Sequence, residues 1–94
     1  MTYSLAFRES ALKEWKKLDP PIREQFKKKL VERLERPRVE SARLSGMPDC
    51  YKIKLKSAGY RLVYQIEDRT VTVVVVAVGR RERNFVYKIA VKRV

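Results

Sequence analysis

Ninety-four residues, 45% of them hydrophobic and including five tyrosines, three phenylalanines and a tryptophan, are enough for one domain with a core and too few for two. A formal charge of +12, from 23 Lys and Arg against 11 Asp and Glu, points to a polyanionic partner such as nucleic acid or an anionic membrane surface. One cysteine, Cys50, and no histidine exclude an internal disulfide, thiolate clusters, His-based metal sites, Ser-His-Asp triads and the histidine pair of many ribonucleases.

A membrane-spanning helix needs about 20 consecutive apolar residues, and the longest apolar run, Val73 to Val78, is far shorter. The N-terminus lacks a basic segment followed by an apolar stretch, so a cytoplasmic protein is expected. In chain order, Tyr3, Leu5 and Phe7 alternate as in a short strand. Ser10 stands where an N-cap would, ahead of Leu12, Trp15 and Leu18, whose spacing of three predicts a helix stopping at Leu18. Asp19, Pro20 and Pro21 read as a restart with Asp19 as cap, and Ile22, Phe26, Leu30 and Leu34 recur every fourth residue until Pro37 ends the helix near Arg36. These two helices form a hairpin. A connector from Pro37 to Asp49 follows, with Val39, Leu44 and Met47 docking on the core.

Tyr51 to Ile66 reads as two strands around a turn at Ser57, Ala58 and Gly59, and Val71 to Val78 as a third, apolar on both faces and therefore interior. A short C-terminal helix begins near Arg83 and carries Val86, Ile89 and Ala90. Strand, helix, helix, three strands and a short helix make a small α+β domain over residues 1–94, the helical hairpin lying on one face of a mostly antiparallel sheet.

Alternation from Tyr51 puts Lys52, Lys54 and Lys56 on one face and Tyr51, Ile53 and Leu55 on the other. Pairing Lys56 with Arg61 adds Arg61 to the lysine face, whereas the opposite parity would bury it. Through a two-residue turn at Asp68 and Arg69, Tyr64 then pairs with Val73, Leu62 with Val75, and Arg61 lies opposite Val76. The third strand ends at Gly79, so Arg80 and Arg81 emerge at the same sheet end. No carboxylate occurs from Cys50 to Gln65, which favours a phosphate site over a salt-bridged surface. On the long helix, Lys27, Lys28, Lys29 and Arg33 form a solvated face with pairs such as Glu24 to Lys28, or add diffuse phosphate attraction. Three glycines cannot build a glycine-rich phosphate loop, and the scattered carboxylates are not expected to hold a metal or cofactor. Any catalysis must use Lys, Arg and Tyr.

ALKEWKKL, KKKLVERLE, DCYKIKLKSAGYRLVYQ and VGRRER followed by Tyr87, in this order and spacing, resemble the RelE toxins of bacterial toxin–antitoxin pairs over essentially the whole chain. The resemblance implies a metal-independent endoribonuclease that cuts messenger RNA in the A site of the 70S ribosome. It also implies inhibition by a RelB-type antitoxin and contact with operator DNA only through that complex. The functional positions it implies are Lys52, Lys54, Arg61, Arg81 and Tyr87, with Lys56, Arg80, Arg83, Lys27, Lys28 and Arg33 as RNA- and rRNA-binding cations. Arg80 departs from the lysine expected there. Attack by a ribose 2′-OH needs a base, positive charge for the phosphorane and an acid for the 5′-oxygen. Arg61 and Lys52 suit the charge role, Lys54 or Tyr87 the base, and Arg81 the acid or leaving-group stabiliser, although a guanidinium donates protons poorly. Neighbouring cations are expected to lower the pKa of both Lys54 and Tyr87. The alternatives are a ParE-like gyrase inhibitor, sharing the fold but not this set of cations with Tyr87, and a non-catalytic basic RNA-binding protein.

Overall fold

The computed structural model describes residues 2–94. Its elements are β1 (Ser4–Phe7), α1 (Glu9–Lys16), α2 (Pro20–Glu35), β2 (Cys50–Leu55), β3 (Tyr60–Glu67), β4 (Thr72–Arg80) and α3 (Phe85–Arg93). The sheet order is β1-β4-β3-β2, with β1 parallel to β4 and the other pairs antiparallel. The expected element order and α+β class hold, and β4 is interior. No helix is long and apolar enough to cross a membrane.

The helix ends differ in detail from expectation. Ser10 lies inside α1, which starts at Glu9 after an extended Arg8, and an acid in the first turn suits the helix dipole. Lys17 and Leu18 form a tightened final turn rather than helix, donating to the Glu14 and Trp15 carbonyls. Asp19 does precede α2, with Pro20 in the first turn where its missing N–H costs nothing, but the Asp19 carboxylate makes no capping bond. Arg23 braces the hairpin by donating to the Leu18 carbonyl at 2.8 Å and the Lys16 carbonyl at 3.3 Å.

The hairpin covers one face of the sheet. Ala11, Phe26 and Leu30 meet Tyr51, Ile53, Leu62, Tyr64, Val73 and Val75, and a tilted aromatic row runs Phe7, Trp15, Phe26 at 5.2 and 6.2 Å. The other face is also covered: Val86 and Ala90 of α3 pack with Val63, Val76, Ala77, Cys50 and the connector residue Met47. Cys50 is fully buried, and that burial pushes its thiol pKa up to about 11. Leu44 packs at the margin of this second cluster, as its docking required.

Register departs from the expected pairing in three places. Lys54, not Lys56, is opposite Arg61, and Leu55 is opposite Tyr60, leaving Lys56 in a four-residue connection closed by Gly59 at φ +72°. A shift of two residues preserves parity, so Lys52, Lys54 and Arg61 do share a face. The turn after β3 takes three residues, Asp68–Thr70, and Val71 closes it in the left-handed region at φ +51°. Tyr64 therefore pairs with Val75. The third departure is a bulge: Val63 pairs with Ala77 and Tyr64 with Val75, so Val76 has no partner on β3. Beyond it Leu62 faces Val78 and Arg61 faces Gly79.

Tyr64 ties the hairpin to the edge of the sheet. Its fully buried ring stacks on Tyr51 at 5.8 Å, its hydroxyl donates to the Pro37 carbonyl at 2.6 Å and accepts from Arg33 Nη1 at 2.8 Å. Removing that hydroxyl strands a buried acceptor, which typically costs about 1–3 kcal/mol. Tyr64→Phe is expected to lower unfolding free energy by about that amount in urea titration, with an unchanged m-value.

Candidate RNA-cleaving site

Two clefts adjoin on the sheet face that carries the cations. One, of about 310 Å³, is lined by Lys52, Lys54, Lys56, Arg33, Ser41 and Ala42. The other, of about 300 Å³, is lined by Arg61, Arg81, Asn84, Val86 and Tyr87. Direct pairing of Lys54 with Arg61 joins them across β2 and β3. All five residues assigned to catalysis thus converge, three from strands and two from the segment that follows β4.

Local backbone explains how Arg81 and Tyr87 arrive there. Arg81 N donates to the Gly59 carbonyl at 2.9 Å, which pins the exit of β4 to the β2–β3 turn. Gly79, opposite Arg61, faces α3, and a Cβ there would stand 3.4 Å from Val86 Cγ2. A Cβ at that distance would just touch Val86, so Gly79 marks how closely the first turn of α3 lies on the sheet, one residue before Tyr87. Asn84, at φ +59°, turns the chain into the helix, a conformation asparagine tolerates well. Sequence reasoning missed Asn84 and Ser41 as lining residues, although an asparagine just ahead of a helix was a visible signal.

Three expected placements of basic residues are corrected. Arg80 does not reach the lysine face, because the Val76 bulge turns it to the opposite side, where its guanidinium carbon lies 5.6 Å from the Tyr60 ring centroid. Arg33 is not a free surface cation: it donates to the Lys52 carbonyl at 3.1 Å and to Tyr64, and lies over the Tyr64 ring at 5.7 Å. It therefore braces the edge strand while lining the lysine cleft. The pair expected between Glu24 and Lys28 forms instead between Glu24 and Lys27, at 3.6 Å. Lys28 is exposed on α2 and Lys56 in its turn, while the Arg83 side chain lies outside the described residues.

The two candidate bases diverge. Lys54 has its pKa lowered from 10.5, first by the neighbouring Lys52 charge, then by partial desolvation, Arg61 and Lys56. Tyr87 moves the other way: burial raises its pKa above 10.0, and the nearby Arg61 charge offsets this only in part. The expectation that the cations would lower both was wrong for Tyr87, because loss of hydration outweighs their attraction. Its hydroxyl is shielded from water and has no hydrogen-bond partner among the described residues. The two environments thus push Lys54 toward losing its proton and Tyr87 toward keeping it. Among the described residues no three His, Cys, Asp or Glu side chains gather to hold a metal ion.

Folding disfavours the charged form of Lys54. That cost is fully present below its lowered folded-state pKa and is relieved as pH rises from there to the unfolded value. Lys52→Gln removes the leading cause. The Lys54 titration, followed by its Cε resonance, is expected to move up toward 10.5 in this variant. About 1 M salt, with a Debye length near 3 Å, is expected to move it the same way. An unmoved midpoint in both would assign the depression to desolvation instead.

The model of the ParE toxin of the type II toxin–antitoxin system parDE matches residues 5–85. Over all 94 residues the chain is 64% identical to the mRNA interferase toxin RelE of Escherichia coli strain K12, covering 99% of that protein. The same identity and coverage hold for the mRNA interferase RelE of Shigella flexneri. A mutant Escherichia coli RelE toxin in the free state superposes with a TM-score of 0.92 at 62% identity, over 100% of this chain and 99% of that one. A chain of the intact Escherichia coli RelBE toxin–antitoxin complex gives a TM-score of 0.83 at 64% identity, over 86% of this chain and 99% of that one. A full-length identity this high, on the same fold and with the cation and tyrosine positions gathered in one place, leads to one conclusion: the chain belongs to the RelE/ParE family of type II toxins, on its RelE side.

Proposed function

We propose that this protein is the toxin of a type II toxin–antitoxin pair, an mRNA interferase that enters the ribosomal A site, cuts the messenger there and so inhibits translation. The observation that supports this most directly is Lys54, its pKa lowered by Lys52, standing opposite Arg61 and beside the cleft of Arg81 and Tyr87. In the reaction, neutral Lys54 takes the proton of the ribose 2′-OH as that oxygen bonds to the adjacent phosphorus. Lys52 and Arg61 meet the charge that builds on the phosphorane oxygens. The bond from phosphorus to the 5′-oxygen then breaks. Arg81 stabilises that oxygen, and the Tyr87 hydroxyl gives it a proton. The products are a 2′,3′-cyclic phosphate and a free 5′-OH, and solvent returns Lys54 and Tyr87 to their starting states.

A lysine amine and a phenol are modest base and acid groups. Much of the rate must come from in-line positioning of a stretched message, which is why the ribosome is needed and free RNA is a poor substrate. Lys27 and Lys28, on the exposed face of α2, together with Lys56, are available for rRNA phosphates, which gives ribosome binding a steep salt dependence. Work on ribosomes places the protein in the cytoplasm. By analogy with the RelBE complexes, its inhibitor is a RelB-type antitoxin; contact with operator DNA only through that complex is part of the same proposal. The match to a ParE toxin model keeps one second reading open, the ParE-like inhibition of DNA gyrase weighed from the sequence.

Primer extension on programmed ribosomes tests the choice. Cuts within the A-site codon are expected, with Lys54→Ala slowing them by about 10²–10⁴ and Tyr87→Phe slowing them by about tenfold or more, while both still bind the ribosome. Wild-type rates in both variants would sink the assignment. Cleaved DNA in a gyrase reaction, without codon-phased cuts, would establish the second reading.

A further inference from the structure

β4 runs beyond the end of its neighbour β1. The parallel pairing covers Thr72 to Val75, and Arg8 N donating to the Val75 carbonyl at 3.0 Å is its last contact. Past that point the Val76 carbonyl and the Val78 N–H face an empty strand position, although both residues are buried. Leaving such groups unpaired is costly. Two side chains take the place of the missing strand. Arg93, the last residue of α3, donates from Nη1 to the Val76 carbonyl at 2.8 Å, and Glu14 of α1 accepts from Val78 N at 3.2 Å. They also join each other, Arg93 Nη1 and Nη2 donating to the two Glu14 carboxylate oxygens at 2.9 and 3.0 Å. With only 22% and 27% of these side chains exposed, this two-bond fork belongs to the stronger kind of ion pair.

Apart from the packing of Val86, Ala90, Tyr87 and Ile89 on the sheet, the helix so anchored has no other fastening at its C-terminal end among the hydrogen bonds of the described residues. α3 has nine residues and no side-chain cap at its start, whereas isolated helices need about 12–15 residues to be even marginal. It buries Val86 and Ala90, while Phe85 and Val91 remain more than half exposed. Nor is Tyr87 firmly held by its own hydroxyl, which is shielded from water and makes no hydrogen bond of ordinary geometry among the described residues, Arg61 standing near enough only for a weak, long interaction. The packing of α3 on the sheet offsets part of that unfavourable burial, and its C-terminal end is where the remaining support is found.

We infer that Glu14 and Arg93 are positioning residues for Tyr87: by seating the end of α3 on the free edge of β4, the pair holds the Tyr87 hydroxyl in the cleft beside Arg61. Arg93 lies six residues along the helix from Tyr87, about 9 Å at 1.5 Å per residue, so neither partner touches the reacting groups. The functional side of this inference rests on the catalytic role proposed above for Tyr87. Its structural side does not.

The test uses the full chain with ¹³C-labelled tyrosine, Tyr87 being assigned through Tyr87→Phe. In Arg93→Met the Tyr51 and Tyr64 signals are expected to keep their folded positions, while the Tyr87 titration falls from its raised midpoint toward the ordinary 10.0 of an exposed phenol. On saturating programmed ribosomes the cleavage rate constant is expected to fall about 10- to 100-fold, the cost of a misplaced group, with KM little changed. Arg93→Lys restores part of it, and Arg93→Met added to Tyr87→Phe causes no further loss. If Arg93→Met also loses the Tyr51 and Tyr64 signals, Glu14→Gln carries the same test, because it keeps an acceptor for Val78 N and removes the charge. An unmoved Tyr87 titration in a folded variant overturns the inference, and so does an equal further loss in the Tyr87→Phe background. Wild-type cleavage by Tyr87→Phe alone would remove the catalytic role of Tyr87, and the titration would still decide whether the pair seats it.

Discussion

One unpartnered residue in β4 decides where every later side chain of that strand points. Under strict alternation, Ala77 and Gly79 would lie with Val75 beneath the helical hairpin, and Val78 and Arg80 would face the lysines. The bulge at Val76 reverses this. Val76 and Ala77 both turn toward α3, Val78 joins the hairpin core, and Gly79 comes opposite Arg61 where Val86 can approach it closely. Arg80 is carried to the far face and stacks on Tyr60. The cleft of Arg61, Arg81 and Tyr87 exists because this one register change lets a short helix close over the end of the sheet.

The site gathers like charges, and that concentration is opposed by the fold around it. Lys52, Lys54, Lys56 and Arg61 crowd one end of β2 and β3, and the depressed pKa of Lys54 is the direct sign of their repulsion. Against it stand a dry hairpin core on the other face and the link from Arg33 through Tyr64 to Pro37, which fastens the edge strand to α2. A polyanion in the clefts would relieve the repulsion, so the stress in the free protein favours binding. Burial at one end of the cluster and crowding of cations at the other push Tyr87 and Lys54 in opposite directions. Two groups with nearly equal ordinary pKa values are separated by environment alone.

Much of the architecture was legible in the chain. A period of two in Tyr51 to Lys56 and of nearly four in Ile22 to Leu34 are local properties, and each specifies an element and its buried face without reference to any partner. Pro20 and Pro37 bound α2 for a reason that is equally local, the fixed ring and missing N–H. Parity was also legible, because the wrong choice would have buried Arg61, and this put Lys52, Lys54 and Arg61 on one face. Absolute register was not. Slipping β2 against β3 by two residues keeps the same faces, so polarity cannot tell Lys54 from Lys56 as the partner of Arg61.

By itself the sequence determined a single basic α+β domain whose usable polar chemistry is lysine, arginine and tyrosine, with its strand cations on one side. Tertiary structure decided the bulge that moved Arg80 away, the recruitment of Arg33 into the scaffold, the ion pair of Glu14 and Arg93 on the open edge of β4, and the upward shift of the Tyr87 pKa. Each depends on what stands across from a residue rather than on its chain neighbours. Periodicity is a property of one segment, whereas pairing, packing and desolvation arise only when segments far apart in sequence meet.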